Sequence, residues 1–418
     1  MILVGQDTSF SIIFAHLGHA MEFVMSQHLR WCIYLASFFT AHAVCAEDYR
    51  VGSESMPAEL ASAKVAETWR ASTPPAFPAA TVRFQRLADE RVAAVKRYNA
   101  DPQTKRLQIG IQRDMVSEVE LSSLVALDWQ PVSGGKIAHI DIVSPGALAL
   151  RTALRADRLP DGLELRVAGD AMPNTIFSAT ANEARALTDG NGWFWGPITD
   201  GERQRLELFV PDGVDTVSVQ HAIPAISHLF APVHTGDLLL PKDIGDSGSC
   251  NINAVCRDDA LGAAYVAARN AVAWMVFQSG PSTFICTGTL LSDADQETAI
   301  PWFYTAHHCI GTQAEASTLE TYWRREASTC NGTGAGDNER IGGGAELMYS
   351  ASSTDGALLR LNSAPPASAT FSGWNANPLS PNTPVIAIHH PRGDNKKYSR
   401  GTYLGLTPDL DIGGQIVS

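Results

Sequence analysis

The placement of cysteine divides this chain more sharply than any other feature. Seven are present: Cys32 and Cys45 near the start, and Cys250, Cys256, Cys286, Cys309 and Cys330 behind Ser249. None occurs between Ala46 and Ser249. A cysteine-bearing region joined to one without cysteine fits a disulfide-bonded secreted domain standing behind a pro-region. Five is odd, so one of the later cysteines lacks a partner within the chain.

Length and charge narrow the class. At 418 residues the chain exceeds one ordinary domain and points to two or three. Apolar residues make up 45% and charged residues 18%, with 34 glycines and 23 prolines. That is a globular, loop-rich, β-leaning composition with enough apolar material for at least two cores. A net charge of -13 argues against nucleic acid as a partner.

The start reads as an export signal. From Met21 a short polar part ends in His28-Leu29-Arg30, the apolar run Trp31 to Phe39 follows, then small residues from Ala41 to Ala46 and acidic Glu47-Asp48. The run is too short for a stable membrane span, and a short buried helix is the bland alternative. Residues 1–46 are therefore expected to be a signal peptide with an N-terminal extension, the true start being Met21 or Met25. The protein would then be secreted, extracellular or periplasmic. Lipidation of Cys45 is disfavoured by His42-Ala43-Val44 before it.

Residues 47–104 are rich in Ala, Arg and Glu, broken by Pro74-Pro75 and Pro78, and are expected to be a helical pro-segment. Arg86 to Tyr98 has apolar residues at helical spacing. The texture then changes to short runs that alternate with period two, such as Leu107 to Ile111, Lys136 to Val143, Leu163 to Val167 and Leu206 to Val210. Residues 105–230 are expected to form an antiparallel β-sandwich. Trp193-Phe194-Trp195 suits core packing at its edge better than a sugar-binding face. Pro232, Gly236 and Pro241-Lys242 mark residues 231–244 as a processing linker.

Residues 245–418 carry the chemistry. An apolar strand, Ile300 to Tyr304, ends in Thr305-Ala306-His307-His308-Cys309, which resembles the histidine motif of trypsin-like serine proteases. Further motifs follow the order found in bacterial lysyl endopeptidases. Gly245-Asp246-Ser247-Gly248-Ser249-Cys250-Asn251-Ile252 resembles their mature N-terminus. Phe284 to Leu291 resembles the strand that pairs with the histidine loop. Thr321-Tyr322-Trp323 and Ser328-Thr329-Cys330 resemble the next strand and its cysteine. Thr354-Asp355-Gly356-Ala357 opens an apolar strand in the manner of the aspartate motif, and Gly373-Trp374 with Ala387 to Pro391 resembles the entry to the second barrel. The resemblance covers about residues 245–400. It implies a mainly β fold, a β-sandwich pro-region followed by a trypsin-like double β-barrel, and a secreted serine endopeptidase that cleaves after Lys or another basic residue.

In that reading His308 takes the serine proton and returns it to the leaving amine, and Asp355 holds the imidazole tautomer. The resemblance pairs Cys286 with Cys309 and Cys256 with Cys330, and it leaves Cys250 free. His307-His308 with His389-His390 could bind a metal, but neighbouring strand residues face opposite ways, so the pair cannot easily chelate one ion. Neither metal nor cofactor is expected. Ser247 lies in Gly-Asp-Ser-Gly, yet it precedes the histidine and follows the linker, a poor place for a rigid oxyanion hole.

After Asp355 no serine lies in Gly-x-Ser-Gly. The second barrel is therefore expected to be incomplete, with frayed strands from about Gly373, and the 418-residue chain to be inactive. The other class of function is a catalytically inactive exported binding protein built from the sandwich and a partial protease domain. Partners expected of the protease are polypeptide substrates and its own pro-region, with no stable membrane span, in a monomer.

Overall fold

The computed structural model describes residues 52–58, 67–70, 80–101, 103–119, 126–234, 247–256, 261–295, 297–332 and 338–405, with the backbone of 2–5, 12–13, 410–412 and 415–417. The apolar run Trp31 to Phe39 and the linker around Lys242 lie outside the described residues.

The first half is a sandwich of two sheets. One has the strand order Phe177–Thr180, Glu164–Gly169, Arg203–Pro211, Gly135–Val143, Ala80–Arg83. Period-two alternation sets its register. Leu206 faces Val167 on one side and Ile140 on the other, while Leu208 faces Leu165 and Ala138. These residues turn one apolar face to the core. The opposing sheet contains Ala149–Arg155, Ala225–Leu229 and Leu107–Asp114, and Leu150, Leu154 and Ile226 meet the first sheet in a common core. Phe194 and Trp195 are buried in the strand Trp193–Trp195. Strand Ala80–Arg83, inside the stretch expected to be helical, pairs in parallel with Gly135–Val143. The helix of that stretch runs Asp89–Ala100, with Asp89 and Glu90 in its first turn and Arg97 in its last, signs that suit the helix dipole.

The second half contains a curled sheet. Val272–Ser279, Ser282–Leu291, Trp302–Ala306, Glu320–Trp323, Gly356–Leu361 and Ala345–Ala351 wrap a core of Phe277, Phe303, Trp323, Leu359 and Leu361. Cys256–Cys330 and Cys286–Cys309 are disulfides and Cys250 is free and exposed, the pairing that the resemblance implied.

The two halves share a sheet. Leu107–Asp114 pairs on one edge with Ala225–Leu229 and on the other with Ser282–Leu291. Gly110 is required at the seam, because a Cβ there would lie 2.9 Å from Ser227 Oγ and 3.1 Å from Thr283 Oγ1. Those two hydroxyls hydrogen-bond to each other at 2.7 Å. Behind the seam, Ile109, Leu229 and Val233 of the first half pack with Trp274, Val276 and Tyr322 of the second.

The strands after Gly373 are paired rather than frayed. Pro384–His389 and Lys397–Thr402 form a hairpin, with Ile252–Asn253 on one edge and Ile2–Gly5 on the other. Helix Gly262–Ala271 covers one face, where Leu261, Tyr265 and Ala268 meet Ile386, Ile388 and Tyr398. Covering both edges and one face removes the exposed pairing groups that were expected to disorder this region. The segment Ile2–Gly5 belongs to the extension to which the sequence assigned no role in the fold.

Candidate active site

Strand Trp302–Ala306 runs between Ser282–Leu291 and Gly356–Leu361, so its end is fixed on both sides. Phe303 and Thr305 are buried, and Thr305 Oγ1 donates to Thr287 O at 2.9 Å. The chain then turns. Cys309 N–H and Ile310 N–H both donate to Ala306 O, and the Cys286–Cys309 bridge ties the turn to the neighbouring strand.

The turn meets a second turn, Ser352 to Asp355, that joins Ala345–Ala351 to Gly356–Leu361. Asp355 has φ +48°, a left-handed conformation that costs a non-glycine residue of the order of 1 kcal/mol. Asp355 accepts from His308 N–H through Oδ1 at 2.9 Å, and His308 Nδ1 lies 2.7 Å from Oδ2. Both side chains are about one-third exposed. Burial pushes the Asp355 carboxyl up, but hydrogen bonds from the side chain and backbone of His308 outweigh it and hold the group below its ordinary value. Burial lowers His308, against the pull of Asp355. The outcome at neutral pH is a neutral imidazole with its proton on Nδ1, facing a carboxylate. Nε2 is then the basic nitrogen, and among the described residues nothing hydrogen-bonds to it.

The other histidines considered as ligands go elsewhere. His307 Nδ1 lies 2.7 Å from Ser350 Oγ, His389 Nε2 lies 3.1 Å from Asn251 Oδ1, and His390 Nδ1 lies 3.1 Å from Asp394 O. Cys286, His308 and Cys309 present their ligand atoms close together, but both sulfurs are in the disulfide. Ser247 Oγ donates to Asp394 Oδ2 at 2.7 Å, so this hydroxyl is engaged by a carboxylate and not by a histidine.

Four residues that the sequence did not single out surround the His308–Asp355 pair. Lys105 Nζ lies 3.8 Å from Asp355 Oδ2. Arg106 donates to Cys309 O, Glu315 Oε1 and Ser279 Oγ, and its guanidinium sits 4.1 Å over the Phe284 ring. Glu315 also accepts from Gly311 N–H at 2.8 Å and Thr312 N–H at 3.0 Å. A signal for Glu315 was present, since Thr312-Gln313-Ala314-Glu315 is a capping box, formed here at the helix Gln313–Ser317. Nothing local announces Lys105, Arg106 or Ser350. The loop after helix Asp89–Ala100 borders a cavity of about 560 Å³ whose lining includes Tyr98, Asp101, Lys105, His307, His308 and Thr312. The sandwich half thus stands beside the histidine turn.

Comparison with known proteins agrees across both halves. Residues 83–230 match the family model of the lysyl endopeptidase N-terminal domain, and residues 244–414 match that of the lysyl endopeptidase C-terminal domain. A lysyl endopeptidase of Pseudomonas aeruginosa is 32% identical over 346 residues, which covers 80% of this chain and 72% of the relative. Sandwich, curled sheet and paired disulfides therefore coincide with sequence similarity along most of the chain, which belongs to the lysyl endopeptidase family.

Proposed function

We propose that the protein is the precursor of a secreted serine endopeptidase in which His308 is the general base and Asp355 orients it, with cleavage after Lys or another basic residue. The observation that carries this reading is the two-point contact of His308 with Asp355, through the backbone N–H at 2.9 Å and Nδ1 at 2.7 Å. It leaves Nε2 as the acceptor for a serine proton and a carboxylate to stabilise the imidazolium that results. Basic specificity rests on the similarity to the Pseudomonas lysyl endopeptidase. Among the described residues no helix is long and apolar enough to cross a membrane. Export rests on the apolar run after Arg30 and on the two disulfides. In this reading residues 1–46 are removed on export, and residues 47–230 are a pro-region whose partner is its own protease domain. Cleavage at Lys242 then starts the mature chain between Asp243 and Gly245, and the product acts as a monomer on polypeptides.

The seryl nucleophile of this reading is not among residues 1–418, because no Gly-x-Ser-Gly follows Asp355. The 418-residue chain is accordingly expected neither to hydrolyse a lysyl peptide ester nor to react with a serine-directed phosphonate, since a lost triad member costs orders of magnitude in rate. Mass spectrometry after phosphonate treatment checks this. A label on Ser247 overturns the assignment of the nucleophile. Continuing the genomic reading past Ser418 supplies the complementary test: a Gly-x-Ser-Gly with one further cysteine supports the reading, and their absence favours a non-catalytic role.

A further inference from the structure

The doubled histidine leaves one imidazole with no part in the proposed chemistry, and its contacts point to a use. His307 reaches both the turn that carries Asp355 and the strand that leads into it. Its backbone N–H donates to Asp355 O at 2.9 Å, on the near side of the turn. Its Nδ1 meets Ser350 Oγ at 2.7 Å, on the far strand. Ser350 pairs with Ala357 across that hairpin and is 3.3 Å from Ile310 O, to which its hydroxyl donates. The ring lies against Gly311, where an added Cβ would be 3.4 Å from His307 Cε1. His307 is therefore bonded to the hairpin by backbone and side chain, while His308, the next residue, bonds the carboxylate at its tip.

This matters because Asp355 sits at φ +48°, a conformation that its surroundings must enforce. The hydrogen bonds accepted by the Asp355 carbonyl and carboxylate come from residues 307 and 308, with Lys105 Nζ 3.8 Å from Oδ2 beside them. Without the Ser350 contact the hairpin tip could swing on its own turn, and the carboxylate would lose its fixed approach to His308 Nδ1. A displacement of about 1 Å in such a group is enough to change its function. We infer that His307 is a positioning residue: through Ser350 it staples the Asp355 hairpin to the histidine turn and so sets the His308–Asp355 hydrogen bond. The inference rests on the proposed roles of His308 and Asp355, but it concerns their geometry and can be measured without turnover.

The test is made on the full 418-residue chain by NMR of the His308 Nδ1 proton. The readouts are its exchange rate with solvent and the titration of the ring, which also feels Lys105 and Arg106. Asp355→Asn is the control and should abolish the protected resonance. His307→Ala and Ser350→Ala should each speed exchange about tenfold, the scale of one lost hydrogen bond, and the double variant should add little to either. His307→Asn, whose side-chain amide can stand where Nδ1 stands, should restore most of the protection. If Asp355→Asn leaves the resonance unchanged, the proposed catalytic pair itself is wrong. If that control works but His307→Ala keeps slow exchange and an unaltered titration in a folded chain, the positioning role is overturned. Equal loss in His307→Ala and His307→Asn overturns the Ser350 contact as its cause. Should His307→Ala not fold, Ser350→Ala and His307→Asn carry the decision between them.

Discussion

The two halves of the molecule reach order by different chemistry. The C-terminal half is braced by covalent bridges that bring together residues 74 and 23 positions apart. The sandwich has no cysteine and relies on its apolar core together with buried or half-buried charge pairs, among them Arg205 with Asp141 and Arg113 with Glu118, and on polar contacts such as that of His139 with Glu207. Where they meet, the second device recurs, with Ile109, Leu229 and Val233 packed on Trp274, Val276 and Tyr322. The seam is a strand pair, a hydroxyl pair and a buried charge cluster in which Glu320 of one half receives Arg340 at 2.6 Å and lies 3.5 Å from Arg151 of the other. A chain built this way can be weakened on one side by reductant and on the other by charge, and the seam should report both.

The comparison breaks most visibly on reduction. Replacing Cys256 and Cys330 by serine should cost about 4.5 kcal/mol in the chain-entropy model, and replacing Cys286 and Cys309 about 3.4 kcal/mol. Urea unfolding with near-UV circular dichroism should show the loss in the C-terminal transition, with the sandwich transition less affected. Equal losses in both would mean that the halves unfold as one unit across the shared sheet.

Glu320→Gln attacks the seam itself. It removes the charge facing Arg340 and Arg151 in a fully buried place, and breaking one partner of such a cluster costs about 3 kcal/mol or more. The carboxyl is held down to about 2, because the guanidinium of Arg340, its hydrogen bonds and Arg151 outweigh the burial that pushes it up. Thermal unfolding at pH 7 checks the loss, and a smaller one would mean that water enters the seam.

Acid should act on both halves through one buried and one half-buried imidazole. His228 is pushed down to about 3 by burial and then by Arg113, and His389 to about 4, again mainly by burial. A folded value below the ordinary 6.5 means that the unfolded chain binds more protons in between. Their contribution is thus present above pH 6.5 and is lost as pH falls from there toward about 4 for His389 and about 3 for His228, at up to about 1.4 kcal/mol per pH unit for each fully neutral ring. Unfolding free energy between pH 7 and 4 measures the slope, and His228→Gln should reduce it.

The smallest expected effect crosses from one half to the other. Lys105 lowers His308 through its charge, so Lys105→Ala should raise the His308 titration slightly, by an amount that fades with added salt. No shift would mean that the 3.8 Å contact with Asp355 is screened away in solution.

Much of this was legible in the chain, for local reasons. Alternation in Leu206 to Val210 and the turn residues between runs announced strands, because a strand buried on one face must repeat every second residue. The sequence Thr305 to Cys309 named the histidine turn, and Thr354-Asp355-Gly356 its carboxylate, because each is a contiguous motif whose chemistry sits in consecutive residues. The cysteine boundary near residue 250 separated a braced half from an unbraced one. Other features were decided by pairing between segments far apart, which leaves no local mark. Nothing in Leu107 to Asp114 says that its second edge will join Ser282–Leu291, since a strand offers the same backbone groups on both sides and only the assembled halves decide which partner takes them. For the same reason Ala80–Arg83 could not be seen as a sandwich strand, nor Lys105 and Arg106 as neighbours of Asp355 and Glu315. The residue types and their spacing marked the His308 and Asp355 motifs, while long-range backbone pairing determined what stands around them.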